Sequence, residues 1–168
     1  MCIRDSNESA KINLTKEIAL RGIDPNRLIF GEQLPMAEYL ARYRVTGLFL
    51  DTLPYNAGTT ASDALRMGLP VLTCIGSSFA CRMAASVINA VNLPELITTT
   101  QEEYESLAIE LATNPEKLKI IKDKLVDNLP TAALYDTPLF TRHLESAYLT
   151  MYDRYQNGLE PDHIYVED

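Results

Sequence analysis

Short apolar runs and helically spaced apolar positions alternate along the first hundred residues of the chain. Four apolar runs have the length of short buried strands: 27–30, 48–50, 70–73 and 96–97. Four helical patterns lie before and between these runs: 11–21, 35–44, 59–67 and 79–91. Because alternating strands and helices are typical of βαβ units, we predict an α/β fold with a Rossmann-like parallel sheet and flanking helices over about residues 7–100.

The last third of the chain shows helical spacing throughout. Apolar or aromatic residues recur three or four positions apart in three segments: 101–112, 115–125 and 138–155. Pro115 suits the first turn of a helix, where its missing N–H costs no hydrogen bond. We therefore expect helices over about 101–157 that pack on the sheet or on a neighbouring domain, and then a tail over 158–168.

The loop before the helix at 59–67 carries the clearest sign of chemistry. The preceding apolar run stops at Asp51, and Gly58 stands directly before Thr59 and Thr60. The free N–H groups of a first helical turn, together with the helix dipole, favour a bound anion. The segment therefore predicts a phosphate site. The alternative interpretation is that one of the two threonines serves only as the helix N-cap.

Composition and charge narrow the function classes. The chain has 168 residues, 46% of them hydrophobic, and a formal net charge of -8, which argues against general binding of nucleic acid or of an anionic membrane. Its three cysteines show no metal-ligand spacing, so we predict no metal. No apolar run has transmembrane length, and no signal peptide is visible. We therefore expect a cytoplasmic location.

Several motifs together resemble one enzyme family. They follow in the order LDTLPYN at 50–56, TTxxD at 59–63, GLPVLT at 68–73, GSSFACRMAAS at 76–86 and PDH at 161–163. Their order and spacing resemble the catalytic region of the O-linked N-acetylglucosamine transferases, a family that includes bacterial homologues and the plant SPINDLY-type enzymes. The resemblance extends from about residue 7 to the end of the chain.

The resemblance implies a domain organisation. Family members have a GT-B architecture, in which two Rossmann-like domains face each other across a cleft. Residues 7–168 resemble the C-terminal, donor-binding domain, truncated at its N-terminus. Residues 1–6 have no counterpart in the family, and we expect a non-native or disordered leader there; a flexible natural terminus is the alternative.

The resemblance also assigns the polar residues of the loop and helix. It implies that Thr59 and Thr60, with Gly58, bind the diphosphate of UDP, and that Asp63 binds the ribose hydroxyls. Family members commonly carry a histidine where Gly58 stands. Glycine cannot replace that side chain, although it lets a phosphate approach the backbone closely. For Asp63 the alternative is a capping interaction at the helix N-terminus.

Three residues of the predicted helix at 35–44 and its approach match the family's uracil site. Arg42 corresponds to an arginine that packs on the base, as a planar guanidinium can; a solvated helix charge is the alternative. Leu34 corresponds to a position whose backbone contacts the base edge. Tyr39 replaces a family histidine and can still stack on a base.

The implied function is the donor-binding portion of a protein O-glycosyltransferase. The full enzyme would transfer N-acetylglucosamine from UDP-GlcNAc to a Ser or Thr hydroxyl of a protein acceptor held by upstream domains. We expect this chain to be inactive alone and to need no cofactor, and no catalytic residue is assigned. The alternatives are a non-catalytic nucleotide-binding domain for regulation or interaction, a SPINDLY-like transferase that uses GDP-fucose, and an interaction domain without a ligand.

Overall fold

The computed structural model describes the backbone of residues 2–4 and the whole of residues 7–166. The chain divides into two compact units, Met1–Arg42 and Tyr43–Asp168. Both units are built from parallel strands and helices, so the predicted α/β class is confirmed.

The first unit contains two strands and two helices: β1 (Cys2–Arg4), α1 (Glu8–Leu20), β2 (Ile29–Gly31) and α2 (Met36–Arg42). The two strands pair in parallel. Helix α1 begins at a side-chain cap, because Asn7 Oδ1 accepts a hydrogen bond of 2.8 Å from the N–H of Ala10. It ends before Gly22, whose φ of +74° is the left-handed conformation that glycine adopts at low cost.

The middle of the expected leader over residues 1–6 lies among the described residues. Strand β1 pairs there in parallel with β2. Residues 1, 5 and 6 lie outside the described residues. The non-native origin of the segment stays a prediction.

The second unit is organised around a three-stranded parallel sheet with the order β3 (Phe49–Leu50), β4 (Val71–Cys74) and β5 (Ile97–Thr98). All four residues of the central strand β4 are buried. Strands covered on both faces read as continuous apolar runs, which explains why the sequence pattern located β4. Its Cys74 is a buried free thiol.

Five helices complete the second unit: α3 (Thr59–Arg66), α4 (Met83–Ala90), α5 (Gln101–Thr113), α6 (Pro115–Asn128) and α7 (Thr137–Gln156). Helices α3 and α4 cross over between successive strands, and α5 packs on β4 and β5. The core joins helices to the sheet through fully buried residues such as Leu65, Val71 and Leu111. The predicted packing of helices on the sheet is therefore confirmed for α5.

Helix α7 differs from the other helices of this unit. It has twenty residues and none of them is buried. Phe140, Tyr148 and Tyr155 lie along one side with 64%, 58% and 78% of their surface exposed. Even so, none of the described helices has the combination of length and apolar character that a membrane span requires.

Candidate functional site

The connection from β3 to α3 is organised by the buried carboxylate of Asp51. Its Oδ1 accepts hydrogen bonds of 2.8 Å from the backbone N–H of both Thr52 and Ala57. Its Oδ2 accepts a hydrogen bond of 2.7 Å from the hydroxyl of Thr73 in β4. A single side chain thus closes both ends of the loop and attaches it to the central strand.

Asn56 fixes the middle of the same loop. It is 1% exposed, and its Nδ2 donates to the carbonyl of Thr52 at 3.0 Å. Its backbone N–H donates to the carbonyl of Ala80, in the connection between β4 and α4, at 3.1 Å. Its Oδ1 accepts no hydrogen bond from the described residues. The loop is therefore held internally and against the next connection of the sheet.

The N-terminus of α3 follows this loop and has no side-chain cap. The N-cap position is Gly58, so the alternative in which Thr59 or Thr60 serves as the N-cap is wrong. Thr59 is exposed and Thr60 half-buried. The first-turn N–H groups of a helix have no partner within the helix, and the dipole gives this end a partial positive charge. Two hydroxyls and these N–H groups can together bind a phosphate.

The first turn of α3 lines a cavity of about 540 Å³. This volume lies within the range of roughly 300–1,000 Å³ that is common for small-molecule sites. The polar part of its wall includes Asp51, Asn56, Thr59 and Thr60, and the apolar part includes Tyr55 and Phe79. Gly58, Thr59 and Thr60, the residues predicted to bind the diphosphate, therefore lie together at one cavity.

The connection from β4 to α4 also contributes to the lining of this cavity. The N–H of Gly76 donates to the carbonyl of Cys81 at 2.9 Å, and a Cβ on Gly76 would lie 2.6 Å from the Cβ of Cys81. The Cys81 thiol donates to the carbonyl of Pro54 in the facing loop. The predicted helical segment over 79–91 begins as a 3-10 helix at Ala80–Arg82 and continues as α4 from Met83.

Asp63 lies one turn further along α3, outside the residues that line the cavity. It is half-buried and is not in the first turn, so the alternative role as a helix cap finds no support. Its neighbour Tyr135 donates a hydrogen bond of 2.8 Å to the carbonyl of Ser62. Burial is the main cause that raises the pKa of Tyr135, and the negative charge of Asp63 raises it further.

The three residues predicted to bind uracil belong to the first unit. Leu34, Tyr39 and Arg42 are all half-buried. Arg42 Nη2 donates a hydrogen bond of 2.8 Å to the carbonyl of Glu32, which ties the end of α2 to the segment after β2. Arg42 is therefore more than a solvated helix charge, and the contacts of all three residues with a base stay predictions.

Tyr104 connects the loop of the cavity to α5. Its hydroxyl donates a hydrogen bond of 2.8 Å to the backbone carbonyl of Asp51. Burial, followed by electrostatic interaction with Asp51 and Cys74, raises the pKa of Tyr104 from 10.0 to about 12. The amphipathic spacing of 101–112 indicated that this side chain faces inward, but nothing in the sequence showed where its hydroxyl binds.

The sequence alone predicts no role for Asn56 or Phe79, and it marks Asp51 only as the end of a strand. An acidic residue directly after an apolar run was the available signal for Asp51. Among the described residues, no three His, Cys, Asp or Glu side chains converge to hold a metal ion. The absence of a metal from the function stays a prediction.

Comparison with known proteins gives a consistent result. The model of the family "Glycosyl transferase family 41" matches residues 6–144. The chain is 32% identical over 152 residues to a UDP-N-acetylglucosamine--peptide N-acetylglucosaminyltransferase of Caenorhabditis elegans, covering 90% of this chain and 13% of that protein. It is 36% identical over 124 residues to a probable enzyme of the same name, SPINDLY, of Hordeum vulgare, covering 74% of this chain and 13% of that protein.

A solved structure agrees with these relatives. A mutant of the O-GlcNAc transferase of Thermobaculum terrenum superposes with a TM-score of 0.81 at 33% identity. The match covers 90% of this chain and 29% of that chain. The chain thus corresponds to a minor part of each of these longer proteins.

Proposed function

The chain belongs to glycosyl transferase family 41, and from that premise we propose that it is the part of a protein O-glycosyltransferase that binds the nucleotide-sugar donor. The complete protein would transfer N-acetylglucosamine from UDP-GlcNAc to a Ser or Thr hydroxyl of a protein. The names of the relatives, UDP-N-acetylglucosamine--peptide transferases, support this donor and this class of acceptor.

The observation that carries the proposal is the uncapped N-terminus of α3 beside a cavity. Gly58 leaves the first-turn N–H groups available, and the hydroxyls of Thr59 and Thr60 stand at the same place. One helix dipole stabilises an adjacent charge by only about 0.3–1 kcal/mol, so several N–H and hydroxyl hydrogen bonds must act together on the diphosphate. The same donors would stabilise the negative charge that develops on UDP as it leaves.

The remaining contacts are those that the resemblance to the family implies. The ribose would be bound by Asp63, one helical turn beyond the phosphates. The uracil would be bound by Leu34, Tyr39 and Arg42. The acceptor would be bound by parts of the protein that this chain does not contain, since the chain corresponds to 13% of the curated relatives. We therefore expect no transfer to a peptide by this chain alone, which a radiolabelled sugar-transfer assay checks.

Calorimetric titration with UDP tests the binding role. We expect the wild-type chain to bind UDP, and the double variant Thr59→Val, Thr60→Val to bind about tenfold or more weakly, because hydrogen bonds to a charged group contribute about 1.5–3 kcal/mol each. Thr141→Val is the matched control: its hydroxyl bonds only to the carbonyl of Thr137 in its own helix, so UDP affinity should not change. A wild-type chain that does not bind millimolar UDP contradicts the proposal.

Two alternatives differ from this proposal in measurable ways. The side-chain-free N-cap at Gly58 favours a nucleotide-binding domain without transferase activity, because the family's histidine is missing there. Sugar transfer by the complete protein would exclude it. A GDP-fucose enzyme on the same frame would bind GDP more tightly than UDP, and a competition titration with both nucleotides distinguishes the two.

A further inference from the structure

Two aromatic side chains at the cavity are largely exposed. Tyr55 is 75% exposed and Phe79 is 82% exposed, and both line the same cavity as Thr59 and Thr60. An exposed aromatic residue keeps a large apolar surface in contact with water, and burying it against a ligand is favourable by about 25 cal/mol per Å².

The backbone that carries these two side chains is firmly held. Tyr55 lies between Pro54, whose carbonyl accepts from the Cys81 thiol, and Asn56, whose N–H donates to Ala80. Phe79 directly precedes Ala80 on the other side of that hydrogen bond. The conformational entropy of both loops is therefore largely lost before any ligand binds, which reduces the cost of binding.

The position of Asp63 defines which part of a donor reaches the aromatic pair. Thr59 and Thr60 line the cavity, whereas Asp63 lies outside its lining, further along α3. A nucleotide with its diphosphate at the threonines and its ribose at Asp63 extends away from the cavity. The cavity then remains for the group attached to the other end of the diphosphate.

We propose that Phe79, together with Tyr55, contacts the glycosyl group of the donor and so distinguishes a nucleotide sugar from the free nucleotide. This inference rests on the proposed function. A pyranose ring has an apolar face of C–H groups that packs on an aromatic ring, while its hydroxyls remain available to polar atoms. Phe79 is thus a specificity-determining residue for the bound donor, acting through apolar contact.

The test compares two ligands on the wild type and three variants of the whole chain. Isothermal titration with UDP and with UDP-GlcNAc is made on the wild type, Phe79→Ala and Phe79→Leu. We expect Phe79→Ala to weaken UDP-GlcNAc binding about tenfold and UDP binding less than about twofold, as loss of one buried aromatic contact implies. Phe79→Leu keeps apolar volume and should recover part of the lost affinity. Tyr165→Ala, at an aromatic residue that is 88% exposed in the tail, should change neither affinity.

The outcomes separate this inference from the proposed function. Equal weakening of both ligands by Phe79→Ala, or no weakening of either, overturns the contact with the glycosyl group and leaves UDP binding in place. Absence of UDP binding by the wild type overturns the proposed function and this inference with it.

Discussion

Two helices of the same sheet begin in opposite ways. Helix α5 follows β5 and starts with a complete capping box: Thr100 Oγ1 accepts from the N–H of Glu103 at 3.1 Å, and the Glu103 carboxylate accepts from the N–H of Thr100 at 3.2 Å. Helix α3 follows β3 and starts at Gly58, which offers no side-chain acceptor. Both helices follow a strand of the same parallel sheet, but the hydrogen bonding at their N-termini differs.

The difference shows where this chain leaves helix donors available. At α5 the N–H groups of Thr100 and Glu103 are paired, and the N–H of Thr99, which also donates to the Glu103 carboxylate, is the main cause of the lowered pKa of Glu103. Three other helices also begin with a side-chain acceptor, at Asn7, Asn114 and Asp136. Glycine at an N-cap costs only about a few tenths of a kcal/mol relative to a side-chain acceptor. Helix α3 begins in this way where its first turn lines a cavity.

The largest expected effect comes from removing the carboxylate of Asp51, which fixes the loop before α3. Asp51→Ala leaves the N–H groups of Thr52 and Ala57 and the hydroxyl of Thr73 without their acceptor. Unpaired buried donors cost about 1–3 kcal/mol each, so we expect the free energy of unfolding to fall by about 3 kcal/mol, measured by urea denaturation. Asp127→Ala, at an exposed position, should change it by less than about 0.5 kcal/mol. A loss below about 1 kcal/mol for Asp51→Ala would show that the loop does not depend on this carboxylate.

A substitution at Gly58 can introduce a side-chain cap at α3. Gly58→Asp would give α3 a cap like that of α5, and the substitution has room, since a Cβ would lie 3.5 Å from Met83 Cε. We expect a gain in stability of a few tenths of a kcal/mol but about tenfold weaker UDP binding, because the carboxylate occupies the N–H groups and repels the diphosphate. Gly58→His restores the family's residue and should tighten UDP binding. Titration calorimetry with UDP measures the affinity of both variants. A change of the same sign in Gly58→Asp and Gly58→His would contradict the role given to these N–H groups.

The capped end provides the complementary experiment. Thr100→Ala removes the acceptor for the Glu103 N–H, so the free energy of unfolding should fall by about 1 kcal/mol. UDP affinity should stay unchanged, because α5 lies outside the cavity lining. Thr100→Ser retains the hydroxyl and should behave like the wild type. Denaturation and calorimetry on the same preparations provide both quantities, and a loss of UDP affinity in Thr100→Ala would mean that the two helix ends are coupled.

The last effect depends on pH. It concerns the hydrogen bond from the Tyr104 hydroxyl of α5 to the carbonyl of Asp51, in the loop before α3. Burial raises the pKa of Tyr104 in the folded chain to about 12, above its ordinary value of 10.0, so folding favours the neutral hydroxyl. This contribution to stability is complete below about pH 10 and is lost as the pH rises through about 12. We expect Tyr104→Phe to show a smaller loss of stability than the wild type over this interval, followed by denaturation at several pH values. Identical pH profiles would exclude Tyr104 as the cause.

Much of the fold could be predicted from the sequence, because local pattern and burial agree in the second unit. The run at 70–73 is apolar in succession and forms the buried central strand β4. The proline at 115 marks the first residue of α6. The helical segment over 79–91 was located by its spacing, but the 3-10 geometry of its first turn at Ala80–Arg82 was not. Strand β1 was missed, since its ladder depends on a partner strand that is distant in the sequence.

The candidate site was predicted where its chemistry is local to the sequence. Gly58, Thr59 and Thr60 are consecutive, so a strand-loop-helix pattern placed them at a helix start beside one another. The bonds from Asp51 to Thr73 and from Tyr104 to Asp51 join residues 22 and 53 positions apart. Neither residue type nor spacing predicts such pairs from one sequence. The exposure of Phe79 likewise follows from the fixed loop around it.

The close approach of Gly76 to Cys81 has a consequence for how this chain can vary. Any side chain at Gly76 would place a Cβ inside the space of Cys81, so in a library of random variants selected for folding this position should keep only glycine. Phe79, three residues away and 82% exposed, should accept many replacements under the same selection. Two nearby positions of one loop would thus vary under separate constraints, so that the donor preference could change while the fold is kept.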